Sequence, residues 1–484
     1  MELTDEQKNI IRYKDDLVIN AGAGAAKTTT LLLYAKARPK SKILYLAYNK
    51  SIKEEAKKKF AEHGLSNVTI HTAHSLAYKD FSKIKVTNTF SLSELIEICK
   101  IKSKSGNKTD EYVLAKLIQD ALNIYCNKTD NQLSVNDLAL NADKELIDKY
   151  YPYIINGVKI LTKKMKHGQI PFIHDYYLKL FQLKSNKLPY NYILFDEGQD
   201  ASPVMLDIFL KQDATKVIVG DSAQAIYGYR LAVNALQSVD FENMMLSKSF
   251  RFGQNIASLA NNILSWKKLI RKHSNNLVIE GVGGTKSENS TCYISRSNFG
   301  VLKSAIVEVE KQKPSSIYFE GGIKGYSFLS NSQSINDLLS LFYRKPQNAK
   351  NPMLKSMKSL NEVIQYSERV GDIELSNLAK IVQVYGKDLK HHIKYLYSIC
   401  AKDKSYADIT FSTAHKSKGM EYDRVFLSDD FTTLNKIRIF SEHYLSVSNK
   451  DISLEKEREK LNEEINILYV ASTRTKNILK KTFD

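Results

Sequence analysis

Ala21-Gly22-Ala23-Gly24-Ala25-Ala26-Lys27-Thr28 is the stretch that decides the fold. It follows the apolar run Leu17–Ala21 and opens a helical pattern over residues 28–36, so a buried strand should feed a helix through a loop of small residues. A phosphate-binding loop belongs there. Backbone N–H groups around Gly22 and Gly24 can wrap the β- and γ-phosphates of ATP, Lys27 can reach between them, and Thr28 can ligate Mg²⁺, with Thr29 beside it in the first helical turn. One residue departs from the pattern: Ala26 stands where a glycine is expected. A β-carbon in a left-handed conformation costs about 1 kcal/mol, which should weaken the grip on nucleotide without abolishing it.

Working outward, residues 43–47, 192–195 and 217–220 are further short apolar runs that read as buried parallel strands, and a second helical pattern covers 51–60. The run 192–195 ends in Asp196-Glu197-Gly-Gln-Asp200. Hydrolysis of a nucleoside triphosphate needs one carboxylate to hold Mg²⁺ and another to orient and deprotonate the attacking water, roles that suit Asp196 and Glu197. A second set of strands is expected at 292–295, 409–412 and 425–427. Between the sets, residues 80–185 and 325–405 read as helical, with loop signals at 103–110 and 127–132 and a Pro- and Asn-containing break at 345–352.

The expected fold is therefore α/β, with two parallel sheets flanked by helices and each interrupted by a mainly helical insertion. The segments are 1–79, 186–245 and the insertion 80–185 for the first half, then 246–324, 406–484 and the insertion 325–405 for the second. The 484 residues carry 71 Lys and Arg against 53 Asp and Glu, a net charge of +18, which suits either a solvated basic surface or a polyanionic partner. Cys99, Cys126, Cys292 and Cys400 have no zinc-binding spacing, and no apolar run is long enough to span a bilayer. A reduced, soluble, intracellular protein is expected, with no membrane association.

Further motifs carry a family resemblance. Leu3-Thr-Asp-Glu-Gln7 resembles a Q motif, Leu46-Ala-Tyr48-Asn49-Lys50 looks like motif Ia, and Thr72-Ala-His74-Ser-Leu-Ala resembles the neighbouring strand-binding motif. Val219-Gly-Asp-Ser-Ala-Gln224-Ala-Ile-Tyr227-Gly-Tyr229-Arg230 is similar to motif III, Ser249-Phe250-Arg251-Phe252 to motif IV, and Ser295-Arg296-Ser-Asn298 to the motif after it. Thr413-Ala-His415-Lys-Ser-Lys-Gly419-Met-Glu421 resembles motif V, and Leu468-Tyr469-Val-Ala-Ser-Thr-Arg474 looks like motif VI. Together they resemble superfamily-1 helicases of the UvrD/Rep type, most closely the F-box DNA helicase branch, although no F-box is read in the sequence.

The resemblance implies two RecA-like P-loop NTPase domains with ATP between them. Lys27, Thr28, Asp196 and Glu197 would come from one side, Arg251 and Arg474 from the other, and Gln224 would sense the γ-phosphate. Gln7 and Phe250 would hold adenine, and Glu421 would lie by the ribose or phosphates. Tyr48, Asn49, His74, Tyr227, Tyr229, Arg296, Asn298 and His415 would contact DNA, the tyrosines by stacking on unpaired bases. The implied activity is ATP-dependent translocation on single-stranded DNA, 3′→5′, with unwinding at single-strand/duplex junctions, in repair, recombination or antiviral defence. A competing expectation, raised by Ala26, is a nucleotide-binding DNA sensor with weak ATPase that recruits an effector such as a nuclease. Either would work in the cytoplasm of a bacterial or phage-infected cell, associated with the nucleoid.

Overall fold

The structure, a computed structural model, describes residues 2–103, 106, 108–138, 142–228, 232–271, 277–330, 332–447, 450 and 452–481. The chain forms two compact units, one of Met1–Leu76, Asn186–Glu320 and Ala401–Asp484, the other of Ala77–Ser185 and Gly321–Cys400.

The first unit holds two parallel sheets. In chain order the strands of the first are β1 (Leu17–Ala21), β2 (Ile43–Ala47), β3 (Val68–Thr72), β4 (Tyr192–Phe195), β5 (Thr215–Gly220) and β6 (Glu242–Leu246). They lie in the order β3-β2-β4-β5-β1-β6, with Leu17 beside Val217 and Asn20 beside Gly220. β1 and β2 are buried along their whole length because helices cover both faces of a parallel sheet, which is why their sequences are unbroken apolar runs. The second sheet contains β7 (Thr291–Ser295), β8 (Ile317–Phe319), β9 (Ile409–Thr413), β10 (Tyr422–Leu427) and β11 (Thr475–Lys481), in the order β8-β9-β7-β10-β11.

Packing joins these two halves within the unit. Ala23, Ala223 and Ile226, from loops of the first sheet, are buried in the same apolar cluster as Ile294, Val425, Ile465 and Tyr469 of the second half. Complete burial of a side chain such as Ile226 contributes about 1.5–3 kcal/mol as an upper bound.

The second unit is helical and draws on both insertions. The Asp143 N–H donates to Arg369 O at 3.1 Å, and the Tyr366 hydroxyl donates to Tyr112 O at 3.4 Å. Lys179 is fully buried, and its ammonium caps the end of helix Lys108–Asn127 by donating to the carbonyls of Lys128, Thr129 and Asp130 at 2.7, 2.8 and 3.1 Å. Within residues 80–185 two short strands do form, Val86–Thr87 and Phe172–Ile173, but they pair with each other and extend neither large sheet.

Candidate functional site

β1 ends at Ala21, and the loop behind it is pinned on both sides. The Gly22 N–H donates to Leu246 O at 2.9 Å, and Gly24 O accepts from the Phe250 N–H at 3.0 Å. Gly24 has φ +77°, and a β-carbon there would lie 2.6 Å from Arg251 Cβ and 2.7 Å from Ser249 Oγ, so only glycine fits. Ala26 has φ 56° and ψ 39°, the left-handed conformation expected to cost about 1 kcal/mol in a residue with a side chain. Helix Lys27–Lys36 begins immediately after it.

Gln7 is buried at the start of the chain. Its Oε1 accepts from the Thr4 N–H and its Nε2 donates to Thr30 Oγ1, both at 3.1 Å, which locks the first helix (Asp5–Arg12) onto the second turn of the loop helix. Thr29 is exposed in the first turn. Thr30 carries no motif signal in the sequence, yet its hydroxyl also donates to Ala26 O at 3.1 Å and so braces the strained residue.

The acidic pair stands at the end of β4. Lys27 Nζ lies 2.6 Å from Glu197 Oε1, and Gln199 Nε2 donates to the other oxygen of Glu197. Glu197 is itself left-handed, at φ 55°. Burial would raise its carboxyl, but Lys27 and Lys418 outweigh burial and hold it below the usual carboxylate range. Burial and the adjacent Glu197 charge push Asp196 the other way. The Tyr45 hydroxyl, on β2, donates to Asp196 Oδ2, so a buried phenol holds one of the two residues expected to bind Mg²⁺.

The donor set at this point, a hydroxyl and a carboxylate, is all oxygen, as a hard divalent cation requires. Among the described residues no group of three or more His, Cys, Asp or Glu side chains could hold a metal, so an ion at Thr28 and Asp196 would share its coordination with phosphate oxygens and water.

The second half supplies cations and a phenol. Arg251 abuts Gly24, donates from Nε to Glu421 Oε1 at 2.8 Å and from a terminal nitrogen to Thr473 O at 3.0 Å. Arg474 is 1% exposed, and its hydrogen bonds go to neutral acceptors, Val470 O at 2.8 Å, Met420 O at 3.5 Å and Thr473 Oγ1 at 3.0 Å. Burial and the nearby Arg251 charge push its guanidinium down to about 9, where it is still protonated at neutral pH. Tyr469, four residues before Thr473, carries a role that its motif does not announce. Its hydroxyl accepts from the Ala23 N–H at 3.1 Å and donates to Asp221 Oδ2 at 2.9 Å. The same carboxylate oxygen accepts from Gln224 Nε2 at 2.7 Å, so the phosphate loop, Gln224 and the second half meet at one phenol.

The residues expected to contact a strand are only partly gathered. The rings of Tyr48 and Tyr227 lie nearly parallel, 17° apart with centroids at 6.2 Å, and His415 stands 5.9 Å from Tyr227. His415 Nε2 hydrogen-bonds Ile226 O at 3.0 Å. Burial first, and the Arg296 charge second, push His415 down to about 4, so it is neutral. Asn49 caps helix Lys50–Glu62, its side-chain oxygen accepting from the Ile52 N–H at 2.9 Å. His74 lies in the short helix Ala73–Ala77 after β3, and Asn298 opens helix Asn298–Gln312. Arg296 is engaged with Glu464 through two nitrogens, at 2.7 and 2.8 Å. Tyr229 lies outside the described residues.

A phosphate loop and paired carboxylates on one parallel sheet, with Arg251 against the loop and a second parallel sheet packed on the first, have the form of two RecA-like P-loop halves. Comparison with known proteins adds a likeness: residues 3–239 are similar to the UvrD/REP helicase N-terminal domain. It is 29% identical to F-box DNA helicase protein 1 of Schizosaccharomyces pombe and 28% identical to F-box DNA helicase 1 of Gallus gallus, each over 99% of this chain. A probable DNA helicase II homologue of Mycoplasma genitalium is 26% identical over 56% of the chain. The chain spans 57% and 49% of the two F-box relatives' own lengths, about half.

Proposed function

We propose that the chain is an ATP-dependent single-stranded DNA translocase and DNA helicase that moves 3′→5′ and unwinds at single-strand/duplex junctions. The observation that carries this reading is the Lys27–Glu197 ion pair, with Thr28 and Asp196 next to its two members in the chain and Arg251 against the same loop. Bound Mg²⁺ would be held by Thr28 and Asp196 and would neutralise charge on the phosphates. Lys27 would exchange Glu197 for the arriving phosphates, freeing the carboxylate to orient water and accept its proton. Arg251 and Arg474 stabilise developing phosphoryl charge only while both halves pack on the nucleotide, so hydrolysis is tied to closure. Tyr48, Tyr227 and Tyr229 supply sequence-tolerant stacking faces for the strand. In this reading the working parts are the six segments expected from the sequence, and the chain acts in the cytoplasm, associated with the nucleoid, in repair, recombination or defence.

ATPase assays with and without oligothymidylate test the chemistry: native protein should be strand-stimulated, and Glu197→Gln should lose about 10²–10⁴-fold in turnover. A duplex with a 3′ single-stranded tail should be unwound and one with a 5′ tail should not. Unwinding of the 5′-tailed substrate alone would overturn the polarity.

The left-handed Ala26 favours a second reading, a nucleotide-dependent DNA sensor of feeble turnover that recruits an effector such as a nuclease. Native turnover no higher than that of Glu197→Gln would select it.

A further inference from the structure

Lys418 follows the short helix Ala414–Ser417 at the end of β9, and Gly419, at φ +86°, turns the chain away behind it. Its side chain is only 10% exposed and crosses from the second half of the unit to the first. There the ammonium is paired with Asp200, which is 2% exposed, and donates to Gln224 O at 2.8 Å. It also stands 4.9 Å over the ring of Tyr227. Asp200 Oδ2 is within 3.4 Å of Gln199 Nε2, the group that donates to Glu197, while Asp200 Oδ1 is buried with no hydrogen-bond partner among the described residues. One cation therefore touches the carboxylate behind the catalytic base, the backbone of the γ-phosphate sensor and the face of a strand-stacking tyrosine.

An ammonium shared between a carboxylate and an aromatic face divides its interaction according to which is better presented. A base stacked on Tyr227 changes the ring's position or covers its face, and the ammonium then shifts relative to Asp200. With one carboxylate oxygen already unpartnered, Asp200 has little to hold it except Lys418 and Gln199, so the shift passes to Gln199 and to Glu197. We propose that Lys418 is the positioning residue through which strand occupancy at Tyr227 sets the orientation of Glu197, making hydrolysis depend on DNA. The proposal rests on the helicase reading above.

The test uses the full chain, oligothymidylate and ATP, and reads the ratio of kcat with and without the strand together with the oligonucleotide concentration giving half stimulation. Lys418→Met should lower that ratio roughly two- to thirtyfold, the range expected for a residue on a coupling path, with little change in half-stimulating concentration. Lys418→Arg should recover most of the ratio. Because Lys418→Met strands a buried carboxylate, Lys418→Met/Asp200→Asn, which removes both charges, should show the same loss. An undiminished ratio in both variants overturns the proposal. So does a ratio that recovers at saturating oligonucleotide, since Lys418 would then be a simple strand contact. A native chain with no strand-stimulated turnover overturns this inference and the helicase reading together; a stimulated native chain with equally stimulated variants overturns this inference alone.

Discussion

Ala26 and Glu197 are non-glycine residues in the left-handed conformation on neighbouring loops, and the Lys27–Glu197 ion pair bridges those loops. Strain of this kind persists where surrounding structure over-determines it, here through Thr30 on Ala26 and Gln199 on Glu197. Ala26→Gly removes the first strain. If the full cost of about 1 kcal/mol falls on the reactive conformation, turnover should rise by about fivefold, measurable by steady-state ATPase. His415 gives a pH prediction. Its value falls from 6.5 to about 4 on folding, so the folded chain binds fewer protons than the unfolded one between those limits. The stabilisation is complete above 6.5 and is lost as pH falls through about 4. The drop in melting temperature between neutral pH and about pH 5 should therefore shrink in His415→Gln.

At the scale of elements, seven of the eleven strands described in the two large sheets are legible in the sequence and four are not, and the division is physical. β1, β2, β4, β5, β7, β9 and β10 are interior to their sheets and read as apolar runs, whereas β3, β6, β8 and β11 are the four edges. β6 is Glu242-Asn-Met-Met-Leu246 with most side chains exposed, and β8 has only three residues, so neither carries the signal of a doubly covered strand. The phosphate loop and Asp196-Glu197 were readable because each follows an interior strand. Tyr45, Thr30 and Tyr469 were not, because a buried hydroxyl in an apolar run looks like core until its partner is known. Tyr469→Phe tests the most connected of these. It leaves the Ala23 N–H and Asp221 each one hydrogen bond short, which should destabilise the chain by about 1–3 kcal/mol in urea titration and raise KM for ATP.

For the whole molecule, the net charge of +18 accompanies a loop of phosphate-binding pattern, and among the described residues no helix is long and apolar enough to cross a membrane. Charge sets how tightly a strand is held without setting what is done to it. If three to five phosphates are contacted, affinity for oligothymidylate should fall about 20- to 100-fold between 50 and 200 mM salt, read by fluorescence anisotropy. Arg474 carries a further consequence. It is a buried guanidinium with no carboxylate partner among the described residues, and Arg251 stands near it. Arg251 already has Glu421 as its counter-ion at 2.8 Å, so a phosphate anion would supply the one that Arg474 lacks. The fold should therefore be an anion sensor in its own right: pyrophosphate should raise the melting temperature more than sodium chloride of equal ionic strength, and Arg474→Met should narrow that difference.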